Sequence, residues 1–248
     1  MITPKRVSKG LIRRGSKALV LIKGKIASPT KFCTACETGV ADFYRYGDNA
    51  TWGCPRCNAS PRERLMRYLL DRRMLQVPAQ GAILHIAPSE RSLVRLFRQQ
   101  AAEFIPADLY PGTYSFEGVQ RLDLMEFEDV SRFDVIYASH VMEHVPDDRL
   151  GFRNMFRALK GGGEAWLMVP LAEGKKTEDG SFKMSVRERE KRFGQWDHVR
   201  MYGMDIVDRI TGAGFTVQVI GANSIDEKSR RHFGLADDKV FVCKKRAA

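Results

Sequence analysis

Four of the five cysteines stand in two closely spaced pairs, with the pattern Cys33-x2-Cys36-x17-Cys54-x2-Cys57. Each C-x-x-C pair puts two thiolates on one tight turn, and two such turns facing each other complete the tetrahedron of a zinc site. Because four protein ligands leave no open coordination position, we expect a structural Zn2+; the alternative is four unrelated buried cysteines. This spacing and the odd cysteine count favour a metal in a reducing compartment over disulfides, and therefore a cytoplasmic protein. Cys243 is interpreted as a small core residue.

Two acidic residues follow successive predicted strands of the larger domain, where they could bind a nucleotide. In a doubly wound sheet, ligands bind at the carboxyl ends of the strands, where the winding direction switches. The turn Ile83–Glu90 is then the critical loop, Asp108 is placed to accept hydrogen bonds from ribose hydroxyls, and Asp123 from an adenine amino group. Either acid alone would be an ordinary polar residue at a strand end, and the pair together indicates a nucleotide site.

The elements that must position these residues form a regular alternation from Ala82 onward. The predicted strands are Ala82–Ile86, Phe104–Ala107, Val119–Leu122, Phe133–Ala138, Glu164–Val169, Phe215–Ile220 and Val240–Cys243, and the predicted helices are Glu90–Ala102, one capped by Asp147 and ended by Gly161–Gly163, and Asp205–Thr211. This βαβα rhythm predicts an α/β fold with a parallel, doubly wound sheet, and the closing hairpin predicts an antiparallel last strand. Upstream, Ser60, Pro61 and Glu63 predict the start of a further helix with a capping box.

The fourth strand and the residues that follow it carry a family resemblance. The stretch Phe133–Asp148, with its opening FD, apolar run and S-x-V-h-E-H-h, resembles the strand-to-helix segment of class I methyltransferases that depend on S-adenosylmethionine (SAM). Leu159–Gly163 resembles their LKPGG turn, with Gly161 where proline is usual, and Gly214-Phe215 resembles the GF before their penultimate strand. With CPRC-x5-ER upstream and FGQ-x-DHVR-x-YG downstream, residues 32 to about 244 resemble a bacterial, type 11-like subgroup with an N-terminal zinc ribbon. The resemblance implies the Rossmann-like, seven-stranded methyltransferase sheet and SAM as the cofactor.

The glycine-rich first motif of that family is altered in this chain. His85 stands where the family has an acid, and Ala87, Ser89 and Arg91 stand where it has glycines, which permit close backbone approach to the cofactor. Arg91 is the largest departure, and a relative that has lost catalysis is one alternative that it leaves open. The cofactor-binding residues that the resemblance and the strand ends together imply are His85, Ala87, Pro88, Ser89, Asp108, Leu109, Asp123, Leu124, Ser139 and His140. His85 itself is interpreted as a structural, hydrogen-bonded histidine on the first strand.

Catalysis of methyl transfer requires an aligned nucleophile and, for an oxygen acceptor, removal of its proton. The resemblance places substrate-binding insertions between Pro170 and Tyr202. There we select His198 as the general base, with Asp197 or Glu143 as its orienting partner. The residues expected to bind the acceptor are His144, Trp196, Arg200 and Tyr202. The alternative for His198 and Arg200 is a structural salt bridge, and a second metal site at His140, His144, Asp197 and His198 is disfavoured by their scattered spacing.

The net charge of +11 is concentrated in the first 31 residues, which contain nine basic residues and no acid. A helix over residues 6–26 would place Val7, Leu11, Ala18, Ile22 and Ile26 on one side and most of the basic residues on the other. Such a helix can lie on an anionic membrane surface. A frayed basic tail or an organelle transit peptide would share this composition. We therefore expect a cytoplasmic protein with peripheral attachment at the inner membrane face.

Three domains and three functions follow from these patterns. The domains are a basic amphipathic arm (1–31), a zinc module (32–60) and a methyltransferase domain (61–248). No apolar run approaches the roughly 18 residues of a spanning helix. The preferred function is methylation of an oxygen or nitrogen of a small or glycan-like polar acceptor. The alternatives are an rRNA or tRNA methyltransferase that grips RNA through the zinc module and arm, and a non-catalytic scaffold. Against RNA stand the nearly balanced charge of residues 32–248 and the lack of an NPPY or DPPY tetrapeptide after the fourth strand.

Overall fold

The computed structural model describes residues 4–46 and 49–247, and within the first helix it describes side chains only from residue 10. The predicted faces of that helix at Arg6, Val7 and Lys9 therefore lie outside the described side chains. The helices are α1 (Pro4–Ile26), α2 (Pro61–Asp71), α3 (Arg91–Gln100), α4 (Asp148–Ala158), α5 (Val186–Phe193), α6 (Ile206–Thr211) and α7 (Glu227–Phe233). The strands are β1 (Lys31–Cys33), β2 (Thr38–Val40), β3 (Tyr44–Tyr46), β4 (Asn49–Gly53), β5 (Ala82–Ile86), β6 (Glu103–Asp108), β7 (Gln120–Arg121), β8 (Phe133–Ser139), β9 (Leu159–Met168), β10 (Glu178–Asp179), β11 (Arg200–Met201), β12 (Thr216–Gly221) and β13 (Lys239–Lys244).

The chain packs into two compact units. The first comprises Met1–Gln76, Glu90–Leu96 and Gly221–Asp238, and the second comprises Val77–Ser89, Phe97–Ile220 and Lys239–Ala248. This division differs from the sequence-predicted domains 1–31, 32–60 and 61–248, because α2 and the segment 221–238 pack with the cysteine region. Sequence continuity could not show the packing of residues 221–238, since more than a hundred residues separate them from the cysteine region.

The first unit is built on two small antiparallel hairpins, β1–β2 and β3–β4, followed by α2. Ser60 caps α2 as predicted, because its hydroxyl accepts a hydrogen bond from the amide of Glu63 at 3.4 Å. The Glu63 carboxylate does not return to the cap, as a capping box would require, and instead accepts hydrogen bonds from the amide and hydroxyl of Ser92 at 3.0 and 2.7 Å. Burial raises the pKa of Glu63, and the hydrogen bonds from Ser92 oppose that shift.

Arg64, the second residue of the ER pair in CPRC-x5-ER, holds this unit together from the inside. Its fully buried guanidinium donates to the backbone carbonyls of Ala59, Thr51, Phe233 and Gly234 at 2.5–3.0 Å and lies 4.0 Å from the ring centre of Phe43. Burial lowers its pKa to about 10, which leaves it charged at neutral pH. One side chain thus ties the end of the cysteine hairpins to α2 and to the segment after α7.

The second unit contains a seven-stranded sheet with the order β12-β13-β9-β8-β5-β6-β7. The pairs β5–β6, β5–β8, β6–β7 and β8–β9 are parallel, and β13 lies antiparallel to β9. The predictions of a doubly wound parallel sheet and an antiparallel closing strand are both confirmed. Because β5 lies between β6 and β8, the winding direction changes beside β5, and its carboxyl end is the switch point where ligands bind in such sheets.

The centre of the sheet is apolar on both faces, as expected for parallel strands covered by helices. Helix α4 begins after its predicted cap Asp147, whose carboxylate accepts from the Leu150 amide at 2.9 Å, and it buries Phe152, Met155 and Ala158. The following strand differs from the prediction, because β9 begins at Leu159 and includes the three glycines. A bulge accommodates them: Phe133 pairs with Leu159, but Val135 pairs with Glu164. A Cβ on Gly163 would stand 3.0 Å from the carbonyl oxygen of Asp134, so the strands approach closely here.

Candidate functional site

The four predicted zinc ligands come together in the first unit. The sulfurs of Cys33 and Cys57 are 3.7 Å apart, those of Cys36 and Cys54 are 3.8 Å apart, and all four lie within 4.8 Å of one another. Zinc–sulfur bonds of about 2.3 Å in a tetrahedron separate the sulfurs by about 3.8 Å, whereas a disulfide would need about 2.05 Å. The cluster therefore fits a zinc ion and has no disulfide. Hydrogen bonds from Cys33 and Cys57 lower the pKa of the Cys54 thiol, which favours a thiolate there.

In the second unit, a cavity of about 430 Å3 opens at the carboxyl ends of β5, β6 and β8. This volume is within the usual range for small-molecule sites. Its lining residues are Ile86, Ala87, Asp108, Leu109, Tyr110, Leu122, Asp123, Leu124, His140, Val141, His144, Val145, Pro146, Phe182, Trp196 and Asp197. A groove of about 590 Å3 also runs past β6 and β7, but it lacks Ala87, Asp108 and His140, so the smaller cavity is the better candidate site.

Ala87 and His140, at the ends of β5 and β8, both have left-handed backbone conformations, with φ of 52° and 56°. Residues other than glycine rarely adopt this conformation, which costs roughly 1–2 kcal/mol, and such strain concentrates at ligand sites. Ala87 thus takes the backbone form for which the family motif uses glycine, and its amide donates to the carbonyl of Ala107 at 2.9 Å. Arg91, the largest departure from the glycine-rich motif, has an exposed side chain at the start of α3.

Asp108 and Asp123 line the same cavity, as their positions at successive strand ends predicted. Asp108 accepts hydrogen bonds from the Tyr110 amide at 2.7 Å and the Tyr114 hydroxyl at 2.6 Å, and Asp123 accepts from the Met125 amide at 2.9 Å. A carboxylate has about four acceptor sites, so each side chain is fixed in place and still has lone pairs for a ligand.

Beside the cavity, the turn after β8 and the segment before β11 bring a carboxylate and three histidines together. Glu143 is fully buried, and its Oε1 lies 3.2 Å from Nδ1 of His140 and 4.0 Å from Nε2 of His198. The rings of His144 and His198 are 4.7 Å apart, edge to face. The amide of Val199 donates to the carbonyl of Glu143 at 2.9 Å and fixes the two segments to each other. Burial lowers the pKa of His198, and the nearby Glu143 opposes this shift.

Arg200 and Tyr202 lie behind this cluster and do not line the cavity. The guanidinium of Arg200 donates to the carbonyls of Met142, Val145 and Pro146 and to Asp179, at 2.6–3.1 Å, and its side chain is buried. The Tyr202 hydroxyl donates to the buried carboxylate of Asp148 at 2.8 Å. These contacts leave neither side chain directed at an acceptor, and we propose a positioning role for both in place of the acceptor contacts that the sequence suggested.

Comparison with known proteins identifies the fold. A family model described as a methyltransferase domain matches residues 59–218. The chain belongs to this methyltransferase family. Among solved structures, an S-adenosylmethionine-dependent methyltransferase from Mesorhizobium loti is similar, with a TM-score of 0.51 and 16% identity over 70% of this chain and 95% of that one. A SAM-dependent methyltransferase from Archaeoglobus fulgidus has a TM-score of 0.50 and 15% identity, over 74% and 94% of the two chains. A comparison with curated proteins gave no match.

A third similar structure is a chain from the complex between the Haloferax volcanii Trm112 methyltransferase activator and a methyltransferase. It has a TM-score of 0.50 and 12% identity, over 75% of this chain and 94% of that one. At these identities the likeness shows the fold alone, which is the Rossmann-like sheet expected from the sequence. With the family match, the chain is a SAM-dependent methyltransferase of class I, and the predictions of fold class and enzyme class are confirmed.

The cavity of this methyltransferase contains some of the residues proposed from the sequence and not others. Ala87, Asp108, Leu109, Asp123, Leu124, His140, His144, Trp196 and Asp197 line it. His85, Pro88, Ser89, Ser139, Arg200 and Tyr202 do not, and Glu143 and His198 stand directly behind the lining. His85 is fully buried between the rings of Phe97, Phe104 and Tyr137. It is therefore placed in the core of the sheet and outside the cavity lining.

Two aromatic residues of the cavity lining, Tyr110 and Phe182, were not expected from the sequence. Both side chains are more than half exposed, and with the half-exposed Trp196 they surround the opening. Exposed aromatic side chains beside a mostly apolar cavity are typical of sites that bind organic ligands. Tyr110 could have been found from its position two residues after Asp108, whereas Phe182 carries no local signal.

Proposed function

We propose that the enzyme transfers the methyl group of SAM to an oxygen or nitrogen of a small or glycan-like polar acceptor bound in the 430 Å3 cavity. The observation that carries this proposal is the placement, around one cavity, of strand-end acids on one side and a buried carboxylate–histidine cluster on the other. SAM supplies an electrophilic methyl group, so the protein must bind, align and exclude water.

The cofactor would be held by the residues at the ends of β5, β6 and β7. The left-handed Ala87 lets the backbone pass close to a ligand, Asp108 offers acceptor sites to ribose hydroxyls, and Asp123 with Leu124 offers an acid and an apolar contact for a purine ring. His140, at the end of β8, completes this side. These donor and acceptor types match a nucleoside cofactor.

The acceptor would lie between the aromatic rim and the Glu143–His198 pair. Tyr110, Phe182 and Trp196 present exposed ring faces, which suit the apolar C–H face of a sugar ring. His198 donates from Nδ1 to the carbonyl of Phe193 at 2.9 Å, so the Nε2 lone pair faces Glu143. We propose that this pair promotes loss of the acceptor's proton, with Asp197 and His144 alongside.

Cofactor binding is tested by isothermal calorimetry with SAM and S-adenosylhomocysteine. We expect both to bind the wild-type protein, and Asp108→Ala to weaken binding by about 10- to 100-fold, because charge-assisted hydrogen bonds contribute about 1.5–3 kcal/mol. Asp208→Ala, at an exposed acid of α6 that does not line the cavity, is the matched control and should bind as the wild type does. Failure of the wild-type protein to bind either nucleoside would contradict the proposal.

We also propose that the four-cysteine cluster holds a structural Zn2+. The sulfur–sulfur distances of 3.7 and 3.8 Å support this proposal, and four protein ligands leave no coordination position for a substrate.

A second proposal is that α1 attaches the enzyme peripherally to an anionic membrane surface. Ser16 and Lys17 of α1 contact the cysteine module: Ser16 Oγ accepts from the Arg45 amide at 2.8 Å, and Lys17 donates to Asn58 at 2.8 Å. The opposite face is apolar and open, with Leu11, Leu19, Ile22 and Ile26 between 55% and 83% exposed. Among the described residues, no helix is both long and apolar enough to cross a membrane.

The charge of this region supports an anionic membrane surface as the partner of this open face. The first 31 residues carry nine basic side chains and no acid, and Arg14 and Lys25 of α1 are exposed. An apolar face flanked by basic residues matches the boundary between acyl chains and anionic headgroups, where a helix lies in the plane of the membrane.

Vesicle sedimentation tests this attachment. We expect the protein to sediment with phosphatidylglycerol vesicles but not with phosphatidylcholine vesicles, and Leu19→Asp with Ile22→Asp to reduce binding at least about 10-fold, because each side chain contributes about 1.5–3 kcal/mol of apolar burial. Val130→Asp, at a 64% exposed apolar residue outside α1, is the matched control. Equal sedimentation of the double variant, or binding to an RNA oligonucleotide without binding to vesicles, would contradict the proposal.

A further inference from the structure

The carboxylate–histidine cluster has a feature that a proton-transfer role alone does not explain. Glu143 is fully buried, and among the described residues neither carboxylate oxygen accepts a hydrogen bond of good geometry, although Nδ1 of His140 lies 3.2 Å from Oε1. Leaving a buried carboxylate without a hydrogen bond is costly, because the group has lost its hydration. A buried carboxylate of this kind in a native protein is expected to bind a cation or to accept a hydrogen bond from a bound ligand.

Two of the three histidines beside Glu143, His144 and His198, are oriented as metal ligands usually are. Nδ1 of His198 lies 2.9 Å from the carbonyl oxygen of Phe193, and Nδ1 of His144 lies 3.2 Å from the carbonyl oxygen of Asp197. A ring nitrogen that donates to a backbone carbonyl leaves the Nε2 lone pair for a metal, and this second contact fixes the ring. Gln195 in turn donates to the Asp197 carboxylate at 2.8 Å, which steadies the segment that holds His144.

The ligand atoms of the three side chains converge. One donor atom each of Glu143, His144 and His198 lies within 4.8 Å of the other two. Metal–ligand bonds of about 2.0–2.2 Å would bring these atoms to roughly 3–3.5 Å from one another. The remaining closure needs only small side-chain rotations, for which the partly exposed His144 has room.

We propose that Glu143, His144 and His198 bind a divalent transition-metal cation whose open positions face the cavity and take a hydroxyl group of the acceptor. Two imidazoles and one carboxylate suit Mn2+, Fe2+, Co2+, Ni2+ or Zn2+ better than Mg2+ or Ca2+, which prefer all-oxygen sites. His140, with Nδ1 3.2 Å from Glu143 Oε1 and a place in the cavity lining, stands beside this site.

This inference rests on the proposed function and narrows its acceptor to a hydroxyl compound. A cation lowers the pKa of an oxygen that it binds, which makes the oxygen nucleophilic at neutral pH. The hydroxyl proton passes to water, the oxygen forms its bond to the methyl carbon, and the sulfur keeps the electron pair of the broken carbon–sulfur bond. The Glu143–His198 pair thus acts on the acceptor proton through the cation.

Binding of Mn2+ to the zinc-loaded protein, followed by electron paramagnetic resonance, tests the site. Mn2+ prefers oxygen and imidazole ligands to thiolates, so the cysteine cluster does not compete. We expect one Mn2+ per chain in the wild type. In Glu143→Gln and His198→Ala, the affinity for Mn2+ should fall at least about 100-fold. Removal of a residue that only hydrogen-bonds to a metal ligand typically lowers metal affinity about 10- to 100-fold, so a loss of this size indicates direct ligands. His232→Ala, at an exposed histidine in α7, is the matched control.

Calorimetry with S-adenosylhomocysteine on the same samples separates the possible results. Wild-type protein that binds the nucleoside but neither Mn2+ nor a second equivalent of Zn2+ overturns the cation site and leaves the proposed function intact. Equal Mn2+ binding by the wild type and both variants also overturns it, because the ion then lies elsewhere. Nucleoside binding retained by Glu143→Gln shows that this variant is folded, so that its loss of Mn2+ supports the site.

Discussion

Removal of the proposed zinc ion from the cysteine cluster is expected to unfold the β1–β4 hairpins. This segment has a small core of Cys33, Ala35, Val40, Phe43, Cys54 and Ala59. A structural zinc ion contributes about 10–16 kcal/mol to the folding of small zinc domains, which is comparable to the 5–15 kcal/mol stability of a whole protein. Cys54→Ser should therefore lose zinc, and the backbone amides of residues 31–59 should exchange with solvent at least about 100-fold faster.

The measurements are the zinc content and hydrogen exchange of Cys54→Ser, with Cys243→Ala as the control. The comparison separates the loss of a zinc ligand from the general effect of truncating a buried cysteine. Cys243 is a fully buried cysteine of β13, outside the cluster, and its truncation should cost only about 1–3 kcal/mol and retain one zinc per chain. A Cys54→Ser protein that binds zinc as tightly as the wild type, with unchanged exchange in residues 31–59, would refute a structural zinc.

Unfolding of the hairpins would also affect α2, because Arg64 joins them. Two of its acceptors, Thr51 and Ala59, belong to the cysteine region, and two others, Phe233 and Gly234, stand at the end of α7. When the hairpins open, a buried guanidinium loses half of its acceptors, and the cost of an unsatisfied charge is added to the loss of the metal. Exchange should therefore rise in 61–71 and 227–234 as well.

The predictable parts of the fold are those in which local pattern and tertiary structure agree. Strand β5 has the predicted bounds. Helix α4 begins after its predicted cap, because Asp147 is a favourable N-cap residue and the apolar residues that follow it recur at helical spacing. The start of β9 was wrong by five residues, because three consecutive glycines indicate a turn locally and the bulge against β8 is visible only in the sheet. A glycine run that would end a strand locally can thus lie inside a strand when the neighbouring strand pairs with it.

The site was predictable where its residues follow strands and less so where they meet across the chain. Asp108 and Asp123 reach the cavity because the carboxyl ends of parallel strands share one edge. His198 and Glu143 are 55 residues apart in the sequence. A hydrogen bond from the Val199 amide to the Glu143 carbonyl holds their two segments together, and it has no sequence signature. Scattered spacing in the sequence therefore does not exclude that these side chains meet in the fold.

Arg200 shows how residue type alone misleads, because a single arginine near a site suggests an anionic substrate. Its hydrogen bonds instead go to three backbone carbonyls of 142–146 and to Asp179, with the buried Asp148 3.5 Å from Nε. Arg209 pairs with the same two acids at 3.0 and 2.5 Å. Partial burial raises the pKa of Asp179, but the hydrogen bonds from the two arginines outweigh it and hold the pKa below its ordinary value.

Arg200→Met is therefore expected to cost about 3–5 kcal/mol of unfolding free energy, because it removes a side-chain donor from three buried carbonyls and reduces the charge that balances Asp148. For a chain of this size the midpoint of thermal unfolding should fall by roughly 10 °C. The measurement is differential scanning calorimetry, with Arg192→Met as the matched control. Arg192 pairs with Glu178 and Glu188 at the surface, where ion pairs contribute little to stability.

Arg200→Lys distinguishes positioning from acceptor binding. Lysine keeps the charge, but its single ammonium cannot reach the carbonyls of Met142, Val145 and Pro146 and the Asp179 carboxylate from one buried position. The turn that carries Glu143 and His144 would then shift, and we expect Arg200→Lys to lose both thermal stability and Mn2+ affinity. An Arg200→Lys protein with wild-type stability and Mn2+ affinity, and a raised KM for the acceptor only, would show instead that the guanidinium contacts the substrate.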